Sequence, residues 1–231
     1  MFPLHDDNPT IITPVVTVTI IALCIIVFVW ELSLGPSTNN AIYSFGVIPA
    51  VLFDHKHLSD QFIYIPPSLT IFTSMFLHSG WMHLIGNMLY LWIFSNNVED
   101  SMGHSRFIVF YLICGIAAAL TQGLSNPEST IPMIGASGAI SGILGAYLLL
   151  YPHAKVLVII PLGFYMHTTR LPAGLVLGFW FILQLINSSL SNADQGGVAF
   201  GAHIGGFVAG MTFIPLFKFR HIKLFNPKHL Y

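Results

Sequence analysis

Six long stretches of this chain carry almost no charge, and this pattern constrains its fold more than any other feature. They cover roughly residues 14–30, 80–96, 107–124, 134–151, 173–190 and 198–217. A helix that crosses a bilayer needs about 20 mostly apolar residues. Backbone polar groups in hydrocarbon must be satisfied within the segment, which selects helices. The strict alternation that a membrane barrel needs is absent. Only 7% of residues are charged and 55% are hydrophobic, whereas a soluble domain carries about 25% charged residues. Too little polar surface exists to cover a water-soluble globule. The expected architecture is therefore an all-α, six-helix polytopic membrane bundle formed by one domain, residues 1–231.

Charge placement gives an orientation. With six spans, Arg106, Lys155, Arg170, Lys218, Arg220, Lys223 and Lys228 share one side with both termini, and only Lys56 lies opposite. The positive-inside rule puts the crowded side in the cytoplasm. The first segment is read as a retained helix and not a signal peptide, because Met1–Asn8 has Asp6 and Asp7 but no Lys or Arg. The lack of an organelle-targeting sequence and the short tails suggest a bacterial inner membrane. The net charge of −1 argues against a nucleic-acid partner. Cys24 and Cys114 sit inside apolar runs and read as small core residues. The stretch 34–74 is expected to pack at the outer interface, and 156–166, broken by Pro161 and Gly163, reads as an interfacial turn.

Polar groups at membrane depth are costly and are functional candidates by default. No carboxylate lies inside a segment, which argues against a pair of intramembrane catalytic aspartates and against a carboxylate proton relay. No HExxH helix is present, and no metal site or cofactor is expected. The second, fourth and sixth segments all enter from the outer side. Ser137 then lies about 5 Å and His203 about 8 Å into their helices at 1.5 Å per residue. His83 and Asn87, spaced i, i+4, occupy one face of the second. Four polar residues thus share one layer. A serine hydroxyl needs a general base to become a nucleophile, and His203 can serve. His83, Asn87 and the Ser137 backbone N–H can donate to a developing oxyanion. With no acid nearby, the expectation is a Ser–His dyad. Simpler readings stand beside it. Gly138-x-x-x-Gly142 and Gly206-x-x-x-Gly210 are also helix-packing patterns, and His203 and Asn87 are also plausible interhelical contacts.

These residues resemble the rhomboid family of intramembrane serine proteases. Phe76–Met88, with His83 and Asn87, is similar to the family's second-helix His-x-x-x-Asn motif. Gly135-Ala136-Ser137-Gly138 is similar to its Gly-x-Ser-Gly motif, and Ala202–Gly210 to its Ala-His-x-x-Gly-x-x-x-Gly motif. Glu99 and Gly103 match an acid and a glycine that follow the second helix. The resemblance implies a protease that cuts transmembrane helices of membrane-protein substrates near the outer face, in contact with membrane lipid. Ser137 would be the nucleophile, His203 the base, and His83, Asn87 and Ser137 the oxyanion hole. Phe179 and Trp180 of the fifth helix would form the substrate gate, with the loop before the sixth as a lid. Two departures stand out. The family often has an aromatic residue four positions after the nucleophile, where this chain has Ser141. The Trp-Arg pair of the first outer loop is replaced by Pro66–Ser74. A catalytically inactive helix-binding relative and a small transporter are the alternative readings.

Overall fold

The computed structural model describes residues 1–190 and 197–225. Nine α-helices are formed among them: α1 (Val15–Ser33), α2 (Thr38–Phe45), α3 (Pro49–Leu52), α4 (Pro67–Thr73), α5 (Trp81–Met102), α6 (His104–Ser125), α7 (Ser137–Leu150), α8 (Ala173–Leu190) and α9 (Phe200–Phe217). Three strands, β1 (Phe2–Asp6), β2 (Lys155–Leu162) and β3 (Tyr165–Pro172), form an antiparallel sheet in the order β1-β2-β3.

Six long helices occupy the six apolar segments. Four of them, α1, α6, α8 and α9, are long and apolar enough to cross a membrane by themselves. The other two depart from the sequence pattern for separate reasons. α5 has 22 residues but carries His83, Asn87, Ser95, Asn96, Asn97, Glu99 and Asp100. α7 has 14 residues, about 21 Å at 1.5 Å per residue, short of the roughly 30 Å hydrocarbon thickness. It can be short because it faces protein rather than lipid: every residue from Ala139 to Tyr147 is buried. Its neighbours are α5, α6, α8 and α9. The apolar segment was expected to begin at 134, but Ile134–Ala136 is non-helical and Gly135 has a φ of 117°. Ser137 therefore stands at the head of the helix rather than a turn inside it.

Small residues set the helix spacing. A Cβ on Gly206 or Gly210 of α9 would collide with the Gly138 or Gly142 carbonyl oxygen of α7. One on Gly145 would strike the Phe207 carbonyl oxygen. Backbones approach this closely only where side chains are missing, as in small-xxx-small packing. The glycine pattern is thus a packing device, and it draws the heads of α7 and α9 together.

The all-α expectation needs correction. Residues 155–172 form a β-hairpin and not a turn, with Gly163 (φ 64°) at its tip. β-branched Val156, Val158, Ile159 and Ile160 favour extended backbone. Val156 and Val158 are buried in the same cluster that lines the helices. The N-terminal strand β1 then adds to β2, pairing Phe2 with Ile159 and Asp6 with Val156. Asp6 is buried and accepts a 2.6 Å bond from the Tyr147 hydroxyl of α7. Burial raises its carboxyl above the ordinary aspartate range.

Charged side chains anchor α1 to α5. Pro14 offers no side-chain cap to α1. Glu99, fully buried, supplies one from α5: it accepts from the Val16 and Thr17 backbone N–H groups (2.9 and 2.8 Å) and the Thr17 hydroxyl (2.7 Å), and pairs with His104 at 2.6 Å. A carboxylate on a helix N-terminus satisfies orphan donors and complements the dipole. The cations gather near the sheet. Lys155 and Arg170 lie in it, and Arg106 donates to the Phe217 carbonyl and stacks on Phe219. Lys228 lies outside the described residues.

Candidate active site

The head of α7 presents Ser137 where three other helices converge. Gly135 makes this possible. Its φ of 117° is open to few other residues, and its N–H donates to the Ser74 carbonyl at 2.8 Å. A Cβ here would lie 2.6 Å from His83 Nε2 and 3.6 Å from Asn87 Nδ2. Both side chains therefore reach the backbone two residues before the serine. The first backbone N–H groups of an α-helix lack intrahelical partners, and that of Ser137 is among them.

Across from it, α9 carries His203. Its Nε2 lies 2.8 Å from Ser137 Oγ, within the range for proton transfer between a hydroxyl and a base. Its Nδ1 lies 2.9 Å from Gln184 Oε1 on α8. The Trp180 ring lies over the imidazole at 5.8 Å with a 34° tilt, and Phe200 meets it edge-on at 6.4 Å. The α9 start is tied to α6 by Ala202 N–H donating to Gln122 Oε1 at 3.2 Å. The position four residues past Ser137 is Ser141, whose hydroxyl turns back to the Ser137 carbonyl at 2.7 Å. The aromatic support for His203 thus comes from α8 instead of α7.

On α5, the hydrogen bonds set the His83 tautomer. Ser79 N–H donates to His83 Nδ1 at 3.4 Å, and the Ser79 hydroxyl lies 3.1 Å from the same atom. A neutral ring accepting at Nδ1 carries its proton on Nε2, the nitrogen that faces Gly135. Asn87 is buried, and no acceptor among the described residues lies within hydrogen-bond distance of its Nδ2. A buried amide donor without a partner costs about 1–3 kcal/mol and requires an explanation.

The structure therefore brings Ser137 and His203 into hydrogen-bond contact and sets His83 and Asn87 beside Gly135. Phe179 and Trp180 separate. Phe179 is half exposed on the outer face of α8, while Trp180 turns inward onto His203 and Phe207. Most of the expected lid, residues 191–196, lies outside the described residues. Gln184 is the residue that sequence reasoning missed. Its signal was an amide in the middle of an apolar segment, four residues past Trp180, at the same kind of depth as Asn87. Among the described residues, no group of three His, Cys, Asp or Glu side chains could hold a metal ion.

Comparison with known proteins converges on the same region. The Rhomboid domain family model matches residues 66–219, a span that holds all of these side chains. Rhomboid protein 1, mitochondrial, of Saccharomyces cerevisiae is 29% identical over 180 residues, covering 76% of this chain and 49% of the yeast protein. Rhomboid protease GluP of Bacillus subtilis is 30% identical over 200 residues, covering 85% of this chain and 34% of that protein. RHOMBOID-like protein 1 of Arabidopsis thaliana is 29% identical over 177 residues, covering 77% and 39%. The chain thus matches between about a third and half of the length of these relatives. With four helices able to cross a bilayer and a family match over two thirds of its length, this integral membrane protein belongs to the rhomboid family.

Proposed function

We propose that the chain is an intramembrane serine endopeptidase that cuts transmembrane helices of membrane-protein substrates with a Ser137–His203 dyad. The observation that carries this is the 2.8 Å contact between Ser137 Oγ and His203 Nε2, made beside a buried amide donor that has no acceptor. In this mechanism His203 Nε2 takes the hydroxyl proton as Oγ attacks the scissile carbonyl. The oxyanion accepts from Asn87 Nδ2, His83 Nε2–H and the Ser137 N–H. The imidazolium then protonates the departing amine, leaving an ester on Ser137. Water, deprotonated by His203, releases the second product and returns the proton to Oγ. No cofactor enters these steps. α8, with Phe179 on its lipid side and Trp180 against the base, is the element a substrate helix would displace.

Membership of the rhomboid family and the likeness to Rhomboid protease GluP of Bacillus subtilis support a protease. The positive-inside split supports placing the Ser137 end on the outer side and the sheet end on the cytoplasmic side of the membrane that holds the chain, which we assign to a bacterial inner membrane. Labelling with a fluorophosphonate probe tests the reading. Wild type should label, and Ser137→Ala and His203→Ala should not. Unlabelled wild-type protein beside a labelled rhomboid control would favour an inactive helix-binding role.

A further inference from the structure

His203 has a second hydrogen-bond partner besides Ser137, and it lies on α8. Gln184 lies on α8, is buried, and faces His203 with its amide orientation constrained at both ends. Its Nε2 donates to the Trp180 carbonyl at 3.2 Å, one turn back on the same helix. An amide has one donor end and one acceptor end, so Oε1 is the atom presented to His203 Nδ1 at 2.9 Å. A carbonyl oxygen can only accept. Nδ1 must therefore carry the ring proton, and the lone pair is left on Nε2, 2.8 Å from Ser137 Oγ. This is the tautomer a general base needs. An uncharged orienter also leaves the resting imidazole neutral, where a carboxylate would draw it toward imidazolium.

The position of Gln184 along α8 adds a second consequence. The buried residues of this helix are Ala173, Val176, Leu177 and Gln184. Three of the four lie in its first five residues, beside the sheet, where the Ala173 and Gly174 N–H groups donate to the Ala154 and Pro152 carbonyls. Beyond Phe181, Gln184 is the one buried side chain; Ile182, Leu183, Leu185, Ile186 and Leu190 are exposed. The helix is clamped at the sheet end and, near the dyad, is held against the bundle by Trp180 and Phe181 on Phe207 and by the buried Gln184 on His203.

We propose that Gln184 is a positioning residue that fixes the base-competent tautomer of His203, and that its hydrogen bond latches α8 to the dyad, so the base is aligned only when the helix is closed. This rests on the serine-protease reading. A substrate helix that displaces α8 breaks the bond, and chemistry waits for α8 to return with the substrate seated. The groups facing His203 are Ser137 from α7, Trp180 and Gln184 from α8, Phe200 from its own helix and His83 from α5. His83 is the titratable neighbour among them.

The test measures fluorophosphonate labelling rates from pH 5 to 10 on the full chain in detergent, and cleavage of a transmembrane-helix substrate in liposomes. Gln184→Leu should label about 10- to 100-fold more slowly at every pH, less than the roughly 100- to 10,000-fold of losing a general base outright, because the imidazole stays and only its tautomer is unfixed. Gln184→Glu restores an acceptor, so it should regain most of the wild-type rate at alkaline pH, with the acid limb displaced upward because a carboxylate favours imidazolium. In liposomes, Gln184→Leu should lower kcat without raising KM. Wild-type labelling by Gln184→Leu would overturn the proposal. So would a Gln184→Glu rate as slow as Gln184→Leu throughout, which also covers the case of a misfolded leucine variant. A raised KM at unchanged kcat would remove the latch. The protease reading fails by a different result: wild type that takes no label, or Ser137→Ala that labels equally.

Discussion

Asn87 Nδ2 is a donor held ready at the cost of stability, and this makes its role separable from folding. It is buried, without an acceptor among the described residues, and beside Gly135. A residue kept only for packing would be satisfied. Asn87→Ala should therefore lower turnover by about 100- to 1,000-fold, the scale of one lost oxyanion donor. It should leave the melting temperature in detergent unchanged or raised, because the uncompensated desolvation disappears. A stability loss equal to that of an ordinary core truncation would contradict this reading. The same residue shows what a sequence can reveal at this scale. His83 and Asn87 were placed together by helical periodicity, and Ser137 and His203 by counting residues from segment ends. Gln184 was not reachable in that way. Its meaning depends on α8 crossing α9 at one depth, a contact between side chains 19 residues apart on different helices.

At the scale of elements, the joints are polar although the surfaces are not. α1 has no cap of its own and depends on Glu99, which answers four donors from α1 and the start of α6. Glu99→Ala orphans the Val16 and Thr17 N–H groups in a dry site, and hydrogen bonds to a charged group are worth about 1.5–3 kcal/mol each. We expect a lower melting temperature and easier proteolysis within α1, with Ser137 labelling preserved at low temperature. The sheet offers a pH signature. The Asp6 carboxyl is raised by burial, so the folded state holds a proton more tightly than the unfolded chain does. Folding is then favoured below the ordinary aspartate value, and that advantage is lost as pH rises through the raised folded value. Asp6→Asn keeps an acceptor for the Tyr147 hydroxyl and removes the titration. Its melting temperature should change less than that of wild type as pH rises above the ordinary aspartate value of about 4. The sheet that holds Asp6 was illegible in the sequence because its third strand, β1, comes from the other end of the chain. Local pattern showed only an apolar run punctuated by Pro161 and Gly163. Four of the spans were legible because hydrocarbon imposes length and apolarity; the pattern failed at α7, where a helix surrounded by protein is freed from that length, and at α5, which carries polar and charged residues along its length.

For the molecule as a whole, the two ends differ in chemistry. One holds Ser137, His203, the long loop with Lys56, and few cations. The other holds the sheet with Lys155 and Arg170, and the stretch with Lys218, Arg220 and Lys223. The proposed chemistry needs water to release the acyl-enzyme, and the orientation supplies it from the outer side if the cation-rich end is cytoplasmic. The chain is suited to a direct test, because its two cysteines, Cys24 and Cys114, are both 0% exposed and should stay silent to a polar maleimide. Lys56 and Lys155 are both exposed, on opposite ends. Lys56→Cys should be labelled by a membrane-impermeant maleimide in sealed right-side-out vesicles. Lys155→Cys should be labelled only after the membrane is permeabilised. The reverse pattern would turn the dyad toward the cytoplasm, and substrates would then be cut at the opposite face. Labelling of both before permeabilisation would break the six-span count, since the three crossings between these two loops place them on opposite sides and only an even number would put them on one.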